Sequence, residues 1–106
     1  MSKLESALAI QLMAYKIPFE REKTGLVPGR RFRVDFFVPP NITIDCEGAV
    51  WVKGGHSTGV GITRDCVKAN LLILAGYRPL RVTEQHIASG EAIGWIKSAI
   101  ERSIEG

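Results

Sequence analysis

Three acids stand on segments that are otherwise apolar. Asp35 interrupts RFRVDFFV (31–38), and Asp45 and Glu47 lie two apart in ITIDCE (42–47). Residues two apart on a strand project to one face, so Asp45 and Glu47 share a side. A hairpin turning through Pro39, Pro40 and Asn41 sets the two segments side by side and brings Asp35 within reach of Asp45 or Glu47, depending on register. Three carboxylates converging on one patch repel one another at neutral pH. A hard divalent cation offsets that repulsion, since magnesium is typically held by one or two carboxylates together with waters and phosphate oxygens. The competing reading is a solvated strand face on which Asp35 pairs with Arg33 or Arg81.

Lys68, in RDCVKANLL (64–72), offers a second choice. On a helix it can form an exposed i,i+3 pair with Asp65, worth a few tenths of a kcal/mol. Set against the acids instead, its ammonium would orient water or stabilise charge building on a phosphate. Arg30, Arg31, Arg33, Lys53 and Arg64 could line a phosphate-binding groove, although charge runs are usually just solvated. Trp51 can stack on a base or anchor a loop. Cys46 and Cys66 are expected to pack as small hydrophobes with free thiols.

The elements that position these residues follow from periodicity. Residues 2–15 read as a helix capped by Ser2, with Glu5 completing a capping-box pattern, apolar Leu4, Leu8, Leu12, Met13 and Tyr15, and Pro18 beyond its end. Residues 18–24 alternate loosely as a strand, and 25–30 form a turn. In 31–38, Phe32, Val34, Phe36 and Val38 face one way while Arg33, Asp35 and Phe37 face the other. Residues 48–62 hold five glycines and read as a long loop. Thr63 then caps a helix over 64–75 with Val67, Leu71 and Leu74 as its buried stripe and Gly76 at its end. Residues 78–83 form a fourth strand. A last helix follows Gly90, with Ile93, Ile96, Ile100 and Ile104 on one side. The order α-β-β-β-α-β-α predicts an α/β fold with a mixed four-stranded sheet flanked by helices and the 31–47 hairpin at its centre.

The chain has 106 residues, 45% hydrophobic and 24% charged, which fits one domain over 1–106 and argues against intrinsic disorder. No apolar run is long enough to span a membrane, and Glu5 interrupts any signal-peptide core. Two cysteines without such a signal fit a reducing cytoplasm. Cys46, Cys66, His56 and His86 lack zinc-finger spacing. The net charge is +3, with 12 basic against 7 acidic residues in 1–83, which favours a polyanionic partner.

With Asp35 followed by Asp45-x-Glu47, after a helix bearing Glu5, the chain resembles the PD-(D/E)XK, or restriction-endonuclease-like, superfamily, whose core order is αβββαβ. More narrowly, RVDFFV, ITIDCEGAVW, GGHSTGVG and DCVKANLLILAGYRPLRVT resemble small phage and prophage nucleases related to the virus-type replication-repair (VRR-Nuc) and very-short-patch-repair-like endonucleases, over Leu4 to Thr83. That resemblance implies a DNA endonuclease dependent on magnesium or manganese. Asp35 and Asp45 are then metal ligands, and Glu47 is a third ligand or holds water. Glu5 matches an N-terminal helix acid that often completes the site, as an alternative to its capping role. His56 occupies a position where related sequences carry His, as general base or phosphate contact, against the plain reading of a surface loop residue. The superfamily's lysine usually lies two residues after the second acid. Here Glu47 stands there, and Lys68 on the following helix is the replacement. The expected partners are DNA, branched or otherwise structured, and a second copy of the chain in a twofold dimer. The expected setting is the cytoplasm of a bacterial host. A non-catalytic nucleic-acid-binding module of the same fold is the alternative, and a protein–protein scaffold ranks below both.

Overall fold

A computed structural model of the protein describes residues 2–48 and 59–105. The elements in order are α1 (Lys3–Ala14), β1 (Glu20–Lys23), β2 (Val34–Val38), β3 (Ile42–Glu47), α2 (Gly59–Leu74), β4 (Arg78–Thr83), α3 (Glu84–Ser89) and α4 (Glu91–Glu105). The strands form one sheet in the order β1-β2-β3-β4, with β1/β2 and β2/β3 antiparallel and β3/β4 parallel. This is the mixed α/β sheet expected from the sequence, with β2 and β3 at its centre.

Alternation along the strands sorts the two faces. Phe36, Val38, Ile42, Ile44 and Val82 are fully buried and pack against Leu8 and Leu12 of α1, Ile87 of α3, and Ile93 and Ile96 of α4. Helices α1, α3 and α4 therefore cover one face. The other face carries Asp35, Phe37, Thr43, Asp45, Glu47 and Arg81, and α2 lies over it. Its filling is thinner: Leu72 and Thr43 are buried, and Phe37 meets Tyr77 edge to face, with ring centroids 6.2 Å apart.

Local chemistry sets the ends of the helices. Ser2 Oγ accepts from the Glu5 amide at 3.1 Å, capping α1. Helix α2 closes in a six-residue reverse turn. The Tyr77 amide donates to the Leu72 carbonyl, the Gly76 amide donates to Ile73, and Gly76 takes φ +97°.

Four expectations need correction. Helix α2 begins at Gly59, so Thr63 lies inside it rather than capping it. Each glycine costs a helix only about 1 kcal/mol relative to alanine, and extending a formed helix avoids the cost of nucleation. Leu74 is 81% exposed, and Leu72 takes the buried position. Met13, Tyr15 and Ile104 are exposed rather than part of the buried stripes. Helix α3 was not anticipated: six residues are too few to show a period, and the fold stops them with Gly90 at φ +86°. No described helix is long and apolar enough to cross a membrane.

Candidate active site

The β2/β3 ladder pairs Val38 with Ile42, Phe37 with Thr43 and Phe36 with Ile44. The next position in this register sets Asp35 opposite Asp45, and there the side chains take over as acceptors. Asp45 Oδ1 accepts from the Asp35 amide at 3.1 Å, and Asp35 Oδ2 accepts from the Cys46 amide at 2.8 Å. Each acid thus has one oxygen held by the backbone of the opposite strand. On the other edge of β2, the β1 register skips Glu22, which would oppose Asp35 and sits at φ +51°. A non-glycine residue in that region costs roughly 1–3 kcal/mol, and such strain tends to gather where geometry serves a site.

Cations close over the acids. Arg33 Nη2 lies 3.2 Å from Asp35 Oδ1. Lys68 reaches down from α2 to Asp45 Oδ2 at 2.8 Å and donates to the Arg33 carbonyl at 2.6 Å. Of the two sequence readings for Lys68, its geometry is the one set against the acids. Asp65, the alternative i,i+3 partner, instead meets Arg81 at 3.4 Å. Arg81 also binds Glu47 Oε1 at 2.6 Å. Arg33, Asp35, Asp45, Glu47, Lys68 and Arg81 share one open cleft of about 340 Å³.

The expected convergence of three carboxylates is reduced to two. Asp35 and Asp45 meet, whereas Glu47 lines the same cleft with its carboxylate drawn to Arg81. Among the described residues, no three His, Cys, Asp or Glu form a group able to hold a metal ion. The physical reason lies in β4: the parallel register puts Arg81 beside Asp45, from where its guanidinium reaches the next acid on that face.

Burial dominates the electrostatics. Asp35 is 8% exposed, and burial raises its pKa above the ordinary 3.8; the Cys46 amide opposes that shift, Asp45 and Glu5 add to it, and Arg33 opposes it. Burial likewise pushes the Cys46 thiol up to about 12, with Asp35 and Glu5 adding to the shift. Glu5 is therefore within the field of the acid pair, but its carboxylate is held by Arg21 at 3.2 Å while its amide serves the α1 cap. Glu5 thus takes part in the α1 cap, and its carboxylate is paired with Arg21 rather than placed among the acids of the cleft.

Two carboxylates at the end of a ladder suit a divalent cation. Among the described residues, each oxygen of Asp35 and Asp45 carries one polar partner, and a carboxylate oxygen has a second lone pair to offer. The ionised form of Asp35, disfavoured by burial, is the form a cation would restore.

Of the basic residues, Arg33 lies in the cleft, Arg30 and Arg64 border an adjoining pocket, and Arg31 is exposed. Trp51, Lys53 and His56 lie outside the described residues. Arg81 and Asp65 were not put forward as site residues from the sequence. The sequence offers Arg81 only as a pairing partner for Asp35; the parallel register instead sets it beside Asp45 and onto Glu47, while Arg33 is the arginine that meets Asp35.

The catalytic domain of the homing endonuclease I-Bth0305I shares this architecture, with a TM-score of 0.65 over 96% of this chain and 93% of that one, at 20% sequence identity. The likeness is one of fold. No protein-family model and no curated protein sequence matches the chain.

Proposed function

We propose that the protein is a DNA endonuclease of the restriction-endonuclease-like kind, dependent on magnesium or manganese. The observation that carries this reading is the Asp35–Asp45 pair at the end of the β2/β3 ladder with Lys68 on Asp45, all set within a homing-endonuclease-like fold. The structurally similar domain is that of an endonuclease by its name, and the basic body of this chain suits a nucleic-acid polyanion.

Asp35 and Asp45 would hold the cation, and Glu47 would join them on release from Arg81. A bound magnesium or manganese ion supplies Lewis acidity toward a phosphate oxygen and lowers the pKa of water. The chain's own groups do the remainder. Backbone amides fix both carboxylates without side-chain reorganisation. The Lys68 ammonium neutralises Asp45 in the resting site and is placed to share its charge with an incoming phosphate. Arg33 offers a second cation across the cleft, and Arg30, Arg31, Arg64 and Lys53 would neutralise flanking phosphates. His56 as general base and Glu5 as an outlying acid belong to the same reading. So do structured phage or prophage DNA as substrate, a role in its replication, repair or recombination, and a twofold dimer with one site per strand.

The specific observation favouring a non-catalytic binding module is that Asp35, Asp45 and Glu47 each already carry a cation. Incubation with branched, single-stranded and duplex DNA plus Mg²⁺ or Mn²⁺ separates the two. Cleavage that needs the metal and is lost in Asp45→Asn supports the nuclease. Binding without cleavage under either metal supports the module. Light scattering at high micromolar concentration tests the dimer.

A further inference from the structure

Phe32 is the aromatic residue that the fold does not use in the way alternation along 31–38 predicts. Strand β2 starts at Val34, so Phe32 precedes it and stands apart from the main core cluster. Its ring is half-buried as one wall of a shallow pocket of about 340 Å³ against α2. Thr63 and Val67 supply further lining, and Arg30, Arg64 and Lys68 border it. The Arg30 guanidinium lies over the ring at 5.7 Å from its centroid, a cation–π contact that steadies both groups.

We propose that this pocket receives one unpaired DNA base, stacked on Phe32, beside the acid pair. The inference rests on the nuclease reading and narrows it, naming DNA that is single-stranded or frayed next to the cut as the substrate class. Three features point to a base. The lining is mostly apolar and includes a flat aromatic ring, on which a base would stack by displacing the Arg30 guanidinium toward its own phosphate or by taking the opposite face. Its rim is cationic, which suits the phosphates on either side of that base and gives an apolar protein side chain no advantage. Lys68 borders both this pocket and Asp45, so a base held here places its strand's backbone at the catalytic cleft. Asp65 also lines the pocket, offering an acceptor to a base amino group. A base within a duplex keeps its faces stacked on its neighbours, so only an unpaired or extruded one can present a face to Phe32.

Fluorescence anisotropy in EDTA isolates binding from cleavage. The probes are a labelled single strand, the same strand with abasic sites, and a duplex of the same sequence. Wild type should bind the normal strand about tenfold more tightly than the abasic one, as stacking on one aromatic ring predicts. Phe32→Leu should abolish that preference and leave duplex affinity unchanged, whereas Phe32→Tyr should keep it. Equal wild-type affinity for normal and abasic strands overturns the pocket and leaves the nuclease reading intact. So does a preference that survives in Phe32→Leu. Failure to bind any of the three DNAs overturns both. The comparison of normal with abasic strands needs only the wild-type protein and stands even if Phe32→Leu does not fold.

Discussion

Asp35 and Asp45 face each other across β2 and β3, and each side chain accepts a main-chain amide from the opposite strand, at 2.8 Å for Asp35 and 3.1 Å for Asp45. The β2/β3 ladder thus ends by exchanging carbonyl acceptors for carboxylates. Two negative charges are brought together in a place that amides alone do not neutralise.

Asp35 should make stability depend on pH in the metal-free protein. Its native pKa is raised above 3.8, so between the unfolded and native values the folded state holds a proton that the unfolded state has lost. This contribution is complete below the unfolded pKa and is lost as pH rises through the native one. In EDTA, wild type should therefore lose melting temperature relative to Asp35→Asn as pH rises above about 4. Manganese should restore wild type at neutral pH and leave Asp35→Asn unmoved. A difference of opposite slope would contradict the burial argument.

Asp45→Asn keeps an oxygen for the Asp35 amide and loses the ion pair with Lys68. Because that pair is part-exposed, stability should fall by no more than about 1 kcal/mol. Cleavage should drop to background, with DNA binding in EDTA unchanged or tighter. Lys68→Ala should lower turnover without raising the manganese concentration for half-maximal activity, since removing the ammonium from Asp45 Oδ2 takes away a competitor of the ion rather than a ligand. Parallel cleavage and binding titrations distinguish these two outcomes.

Arg81 competes for acids that a cation could use. Replacing it with Gln frees Glu47 and Asp65 and removes one positive charge beside Asp45. Manganese should then bind up to about fivefold more tightly by calorimetry, the equivalent of roughly 1 kcal/mol for part-exposed charges. DNA affinity should weaken at low salt. Unchanged manganese affinity would mean that Glu47 plays no part in ion binding.

The two cysteines should differ in reactivity. Cys46 is half-buried with its thiol pushed up to about 12, while Cys66 is exposed on α2. The thiolate is the reactive form. At pH 8 the native protein should show one fast-reacting thiol with a disulfide reagent and a second only after denaturation. Cys66→Ser should remove the fast phase.

The residues that proved legible in the sequence are those whose roles depend on neighbours along the chain. Period-two alternation fixed β3 at 42–47 and placed Asp45 and Glu47 on one face, and the turn at Pro39–Asn41 brought Asp35 alongside. Leu8 and Leu12 were readable because α1 faces one core. Leu74 was misread because α2 covers a sheet face rich in polar side chains, which pins Leu72 and leaves the next turn outside. The pairing of Glu47 with Arg81 was not legible because it depends on the register of a parallel pair joined through a long connection, and no local spacing encodes that. Of the basic residues, only the strand-edge position of Arg33 follows from the pattern.

The parallel pairing of β3 with β4 governs where the lysine can come from. Two parallel neighbours cannot be joined by a tight turn, so the chain must pass over one face of the sheet, and the chirality of L-amino acids strongly favours one hand for that passage. With α1, α3 and α4 filling the opposite face, α2 crosses on the side where the acids point. The charge that meets Asp45 is therefore selected by handedness, not by its distance along the sequence. The side of the sheet from which Lys68 approaches is thus inherited with the topology.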